Sequence, residues 1–389
     1  MNFCPNCGNK VSEAAKFCGG CGTTLAVSED LRASSAELNQ QQTANIDIKS
    51  STEGIFRNAT KAISKYTGEE ESLNVNLKEL FSEVSKKHTA EESDEIFIVG
   101  TEKTTPITSE ISTDWSKPWL FSRVFLSFLA VFIMLYVMVS EFENENAIPG
   151  LIFVGACIVP LSALIFFFET NAYKNISIFT VIKIFAIGGV CSLLSTLFLY
   201  EFVDFSMAYK LFDEMTAKDA FTVGLVEEVG KLIIIAFCIS HYKVNKILNG
   251  LLIGASIGAG FAVFETAGYI LRYAFIEGDF LDITVLRGWT SLGGHLVWGA
   301  ILGGALIVSK GSEKLSINHF FDGKFLFFFA SVIAMHGLWD MGIVLLNSHY
   351  TMILILIVFA WVEVFILMNA GLKEVARTKS KGEINVNIH

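Results

Sequence analysis

Six ionisable side chains fall inside strongly apolar stretches of the chain: Glu227, Glu228, Glu265, His295, His336 and Asp340. A charge at the centre of a membrane helix costs about 2.5–3.5 kcal/mol on insertion scales, so such groups are retained for pairing or for chemistry. They sit in short patterns: Glu227-Glu228-x-x-Lys231, Phe261-x-x-x-Glu265, His295-x-x-x-Gly299 and His336-x-x-x-Asp340. Residues four apart share one helix face, so each stretch can aim its polar groups inward while its other faces meet lipid. Carboxylates beside imidazoles can activate water. One carboxylate takes the proton, an imidazole or bound cation stabilises the oxyanion, and the acid protonates the leaving group. Two histidines with two or three carboxylates are also a donor set for zinc with an open position.

A second constellation lies at the N-terminus. Cys4, Cys7, Cys18 and Cys21 form two C-x-x-C knuckles, each followed by glycine. Four thiolates at this spacing predict a closed tetrahedral zinc ribbon, a structural site with no open position for water. Cys157, Cys191 and Cys238 stand singly in apolar stretches and are read as packing residues.

The elements that carry the six polar groups must be membrane helices. The 389-residue chain is 52% hydrophobic, with 34 Phe and 5 Pro, and its mean hydropathy is +0.52, beyond the range of a soluble domain. A net charge of −10 excludes a nucleic-acid surface, which needs a basic excess. A span needs about 20 apolar residues. The hydropathy pattern predicts about eight, near 119–139, 148–168, 176–200, 220–240, 247–272, 289–309, 325–346 and 350–370. The expected fold is an all-α polytopic membrane bundle. Its domains are a zinc ribbon at 1–25, a partly ordered cytosolic linker at 26–114, a multi-pass domain at 115–372 and a cytosolic tail at 373–389. Within the linker, Leu73, Leu77, Leu80, Phe81 and Val84 repeat at helical spacing, and Glu95–Gly100 reads as a short strand.

Lysine placement orients the bundle. Met1–Leu25 has no apolar signal core, so the N-terminus is expected in the cytosol. Every second loop then carries the basic residues: Lys174, Lys243 with Lys246, Lys310 with Lys314 and Lys324, and the C-terminal Lys373, Arg377, Lys379 and Lys381. By the positive-inside rule both termini are cytosolic in a plasma-membrane protein. In this frame all six polar groups lie roughly 9–15 Å below the outer surface, at 1.5 Å per residue. Four helices of alternating direction agree in depth, which predicts one convergent site.

The four patterns in this order resemble those of the PrsW-type intramembrane proteases, relatives of the CAAX-processing and bacteriocin-immunity membrane proteases. That family's series EExxK, FxxxE, HxxxG and HxxxD is matched over roughly residues 150–370. The resemblance implies an intramembrane endopeptidase with Glu227, Glu228, Glu265, His295, His336 and Asp340 as its catalytic set. It implies metal dependence, with zinc the expected ion, although the prenyl-protein relatives are thought to use such residues without metal. The implied partners are the bilayer and a membrane-anchored protein substrate, such as an anti-sigma factor. Thr266 departs from the family, where Asn often follows the FxxxE glutamate, and alters a hydrogen bond beside it.

Three other readings are open to the sequence alone. The polar set can be interhelical glue. It can be an ion or proton pathway, although no internal repeat of the kind transporters show is visible. The bundle can also anchor a sensor whose ribbon binds a cytosolic partner. Lys231 is read as the ion-pair partner of whichever of Glu227 and Glu228 turns away from the site. Glu363, in the last span, has no motif.

Overall fold

A computed structural model describes residues 2–4, 6–11, 17–18, 20–21, 23, 52–212, 215–276, 281–346, 348–382 and 388. The chain forms two compact units, Met1–Ala59 and Thr60–His389. The polar segment expected as a flexible linker at 26–50 lies outside the described residues.

In the first unit, strand β1 (Asn2–Phe3) pairs antiparallel with β2 (Lys10–Val11). The turn between them is closed by the Gly8 N–H, which donates to the Cys4 carbonyl at 2.9 Å. Gly8 adopts φ 71°, a left-handed conformation that a side chain would strain. The knuckle brings Cys4 Sγ within 3.6 Å of Cys21 Sγ and Cys7 Sγ within 3.6 Å of Cys18 Sγ.

The second unit is a helix bundle. Helix α1 (Ala90–Phe97) precedes the apolar helices α2 (Leu120–Ser140), α3 (Ile148–Thr170) and α4 (Ile178–Tyr200, with a π-helical stretch at Ile184–Gly188). Next come α5 (Ala217–His241), α6 (Ile247–Ile276) and the short α7 (Leu281–Thr290). Helices α8 (His295–Lys310), α9 (Gly323–Asp340) and α10 (His349–Lys381) complete the bundle. Each of the eight expected spans has a helical counterpart. Among the described residues, six segments are long and apolar enough to cross a membrane: Leu120–Ser140, Glu145–Thr170, Ile178–Tyr200, Ile247–Ala274, Leu281–Lys310 and Tyr350–Lys381. Helices α5 and α9 are not among them: α5 carries three charged residues, Glu227, Glu228 and Lys231, in every membrane-length stretch, and His336 and Asp340 lower the hydropathy of α9.

The central pair is α6 and α8, and glycine makes it. A Cβ on Gly254 would strike the Gly299 carbonyl, and one on Gly258 would strike the His295 carbonyl. The two backbones therefore touch, as small-residue faces permit in lipid. This contact sets Glu265, at the C-terminal half of α6, beside His295, at the start of α8.

Three differences from the sequence expectation stand out. The span expected at 289–309 breaks: α7 ends at Thr290, a 3₁₀ turn covers Ser291–Gly293, and α8 begins at His295 itself. A Cβ on Gly293 would collide with the Ile357 backbone, so this break is packed closely on α10. The strand expected at Glu95–Gly100 does not form: its first three residues end α1, which a Thr89–Glu92 capping box starts, and residues 98–100 follow as a turn. Only Leu77–Leu80 of the amphipathic run at 73–84 is α-helical.

Residues 60–114 belong to the same unit as the bundle. Arg377 pairs with Glu69 at 2.6 Å and Lys373 with Glu71 at 2.7 Å, while Lys379 donates to the Ile111 carbonyl. Tyr66 stacks on Phe327, and His88 on Trp119. The basic tail expected from 373 is thus the last turns of α10, with its charges used in docking. Glu169, at the end of α3, accepts the N–H groups of Trp119, Leu120 and Phe121 and so caps α2.

Candidate active site

Helix α5 is placed by its first turn. Thr216 and Asp219 form a capping box, and Ser206 donates its backbone N–H and hydroxyl to the same Asp219 carboxylate. Three turns further on, Glu227 and Glu228 point in different directions. Glu228 is fully buried, and its Oε1 lies 2.6 Å from Lys231 Nζ and 2.8 Å from His336 Nδ1. Glu227 instead lines a cavity of about 540 Å³ together with Glu265, His295, His336 and Asp340.

The six groups converge. His295 Nε2 is 3.0 Å from Glu265 Oε2, and His336 Nε2 is 3.7 Å from Glu227 Oε2 and 3.4 Å from Asp340 Oδ2. His295 Nδ1 is 3.9 Å from Glu227 Oε2. The short contact that orients the His336 ring comes from Glu228. Asp340 approaches the other ring nitrogen at the longer distance.

Lys231 does more than neutralise one acid. Its Nζ lies 2.6 Å from Glu228 Oε1, 2.7 Å from His295 Nδ1 and 4.0 Å from Glu227 Oε2, and 4.3 Å above the Phe261 ring. An ammonium only donates, so His295 Nδ1 must accept. The proton of the neutral ring is then on Nε2 and is donated to Glu265 Oε2. Lys231 and Glu265 together select one tautomer of His295.

Three side chains absent from the sequence expectation complete the site. Tyr200, the last residue of α4, donates its hydroxyl to Glu227 Oε1 at 3.0 Å. Arg287 of α7 donates to Glu265 Oε2 at 2.6 Å. Trp298 stacks on His336 with ring centroids 4.5 Å apart and meets His295 edge-on. Tyr200 and Arg287 carry no signal in a one-turn motif search, because each is a single polar residue on an element outside the series. Glu363 does not join the cluster: it is buried against Ser331, whose hydroxyl donates to its Oε1 at 2.6 Å.

Among the described residues, two groups have the donor set of a metal centre. In the ribbon, single ligand atoms of Cys4, Cys7, Cys18 and Cys21 all lie within 4.8 Å of one another. The Thr23 hydroxyl, 3.2 Å from Cys21 Sγ, helps draw that thiol down to about 6, toward the thiolate that binds metal. In the bundle, ligand atoms of Glu227, His295 and His336 meet the same 4.8 Å limit. Glu227 Oε2 there is buried and has no hydrogen-bond partner, an atom whose isolation costs about 1–3 kcal/mol unless a donor or cation meets it.

Comparison with known proteins assigns both parts. Residues 3–25 match a zinc-ribbon domain, and residues 177–368 match the PrsW family intramembrane metalloprotease. The chain is 24% identical over 213 residues to Protease PrsW of Halalkalibacterium halodurans, covering 54% of this chain and 92% of that protein. It is 25% identical over 150 residues to Protease PrsW of Shouchella clausii, covering 38% of this chain and 65% of the relative. No solved structure matches the chain. The four motif helices α5, α6, α8 and α9 all lie within the matched region, and behind an N-terminal zinc ribbon this multi-pass protein carries the intramembrane protease domain of the PrsW family.

Proposed function

We propose that the bundle hydrolyses a peptide bond of a membrane-anchored protein, within the outer half of the plasma membrane, using the Glu227–Glu265–His295–His336 cluster. The observation that carries this reading is the convergence of Glu227, His295 and His336 ligand atoms within 4.8 Å on the wall of a 540 Å³ cavity. Interhelical glue needs no cavity. Here Glu227 Oε2, a carboxylate oxygen without a hydrogen-bond partner, belongs to a residue that lines a cavity beside two imidazoles.

The chain's own residues divide the work. Glu227 offers Oε2 to a water in the cavity, and Tyr200 holds its other oxygen. Glu265 keeps the His295 proton on Nε2, and Glu228 holds the His336 ring by Nδ1. Asp340 stands beside His336 Nε2, where it can support a transient positive charge on that ring. The apolar walls, including Phe261, Phe264 and Trp339, exclude bulk water and strengthen each of these interactions.

Two histidines and one glutamate, with room for water, are the donor set of a catalytic zinc site. Glu227 and His336 would hold the ion, joined by His295 through Nδ1 once Lys231 no longer donates to that nitrogen, and the ion would supply Lewis-acid activation of water. Lys231, which donates to His295 Nδ1, has Glu228 as its other strong partner. The substrate class we favour is a membrane-anchored regulatory protein of the anti-sigma kind, with the cytosol on the side of both termini.

A proteomic comparison of membrane-protein fragments in cells making the wild-type chain or Glu265→Ala tests the reading. A single-span protein cut only in the wild-type cells supports it, and identical fragment sets reject it. The metal is tested after removing Met1–Ala59, the separate ribbon unit. Loss of cleavage with a chelator and its return with zinc support a bound ion. Persistence supports carboxylate–histidine water activation alone.

A further inference from the structure

Arg287 approaches the site from an element outside the four motifs. Helix α7 is seated independently of the cluster: a Cβ on Gly155 of α3 would strike the Thr284 side chain, and the Trp289 ring lies 6.0 Å from that of Tyr350. From this base the guanidinium grips three neighbouring side chains of α6. Nη2 donates to Glu265 Oε2 at 2.6 Å, Nε donates to Thr266 Oγ1 at 3.3 Å, and the group lies 4.1 Å above the Tyr269 ring. Positions 265 and 269 are one helical turn apart, so the fork spans one face of α6.

The oxygen that Arg287 takes is the same Oε2 that accepts the His295 Nε2 proton. Moving the guanidinium moves the acceptor on which the His295 tautomer depends. Arg287 and Glu265 both line the cavity. We infer that Arg287 is a positioning residue of the protease site, fixing the Glu265 carboxylate and through it the His295 imidazole. Thr266 is part of the device, since its hydroxyl accepts from Nε, the edge of the fork that a lysine lacks. The inference rests on the hydrolase reading above.

The test uses the purified full chain in phosphatidylethanolamine–phosphatidylglycerol vesicles. The probe is a single-span fluorescent reporter with a Gly-Ser pair in the outer third of its apolar segment. Arg287→Gln and Arg287→Ala are expected to lower kcat by at least roughly tenfold with KM changed less than about twofold, since the lost contact acts on the reacting groups. Arg287→Lys should recover only a small part, because a point charge cannot make both donations. Millimolar guanidinium should raise kcat of Arg287→Ala several-fold, to about a third of wild type, and leave Glu265→Gln unaffected. Should Arg287→Ala fail to fold, Thr266→Val removes only the Nε acceptor and should lower kcat roughly threefold.

Wild-type kcat in Arg287→Gln overturns the inference. So does a loss confined to KM, or no guanidinium rescue in an Arg287→Ala protein whose thermal transition matches wild type. Unchanged kcat in Thr266→Val counts against it equally. If the wild type leaves the reporter uncut, or Glu265→Gln cuts it as well as the wild type, the hydrolase reading fails and takes the inference with it. If Glu265→Gln is dead while Arg287→Gln is fully active, only the role of Arg287 is lost.

Discussion

The polar cluster has two sides that differ in how their charges are settled. On the inner side, Glu228 and Lys231 are both wholly inaccessible, and with His336 they form a compact set at 2.6 and 2.8 Å. On the cavity side, Glu227, Glu265, His295 and Arg287 are between 10% and 25% exposed. A buried charge is tolerated only when it is paired and hydrogen-bonded, so the inner set is built to hold geometry. A group meant to meet water must open on the cavity, so the cavity set is built to react. The adjacent glutamates of one motif thus have opposite duties, because successive helical residues point about 100° apart.

That contrast can be broken by experiment. The largest effect is expected on turnover: Glu265→Ala or His295→Ala should lower kcat by roughly 10²–10⁴ with the thermal transition of the purified protein little changed. A lowered transition with near-normal turnover would assign the cavity set to structure instead. Second, Glu228→Ala leaves Lys231 and His336 without their shared partner, and should cost about 3–5 kcal/mol in stability, read by thermal unfolding in detergent. A fully stable Glu228→Ala protein would erase the distinction between the two sides.

Tyr200→Phe is expected to be milder. It removes a hydroxyl bonded to a carboxylate, worth about 1.5 kcal/mol, and so should lower kcat roughly tenfold without unfolding the bundle. An unchanged rate would remove Tyr200 from the cavity set. The smallest effect is expected outside the bundle. Cys4→Ser should abolish the one equivalent of zinc in the ribbon and leave reporter cleavage by the bundle at wild-type rate, because a closed four-thiolate site has no position for reacting water. A matching loss of cleavage would show that the two parts depend on each other.

Much of this was legible in the residue order. Four thiols in two knuckles define a zinc ribbon wherever they stand, because the spacing alone sets the turn that converges them. Apolar length defines the helices, and one-turn spacing defines which groups share a face. The convergence of Glu227, Glu228, Glu265, His295, His336 and Asp340 followed from depth and direction, and the structure brings all six together.

Other features were decided only by tertiary packing. Whether Glu227 or Glu228 faces the cavity depends on the rotation of α5, and rotation is set by neighbouring helices. The break before His295 depends on how closely Gly293 meets α10. Arg287 and Tyr200 reach the site from α7 and α4, elements with no polar periodicity to announce them. The segment at 60–114 reads as part of a partly ordered linker, and its local sequence does not tell that Glu69 and Glu71 meet Arg377 and Lys373 more than 300 residues away. Local spacing states which groups one helix presents, and only the packing of several helices states which groups meet, because pairing energies across helices have no period in the sequence.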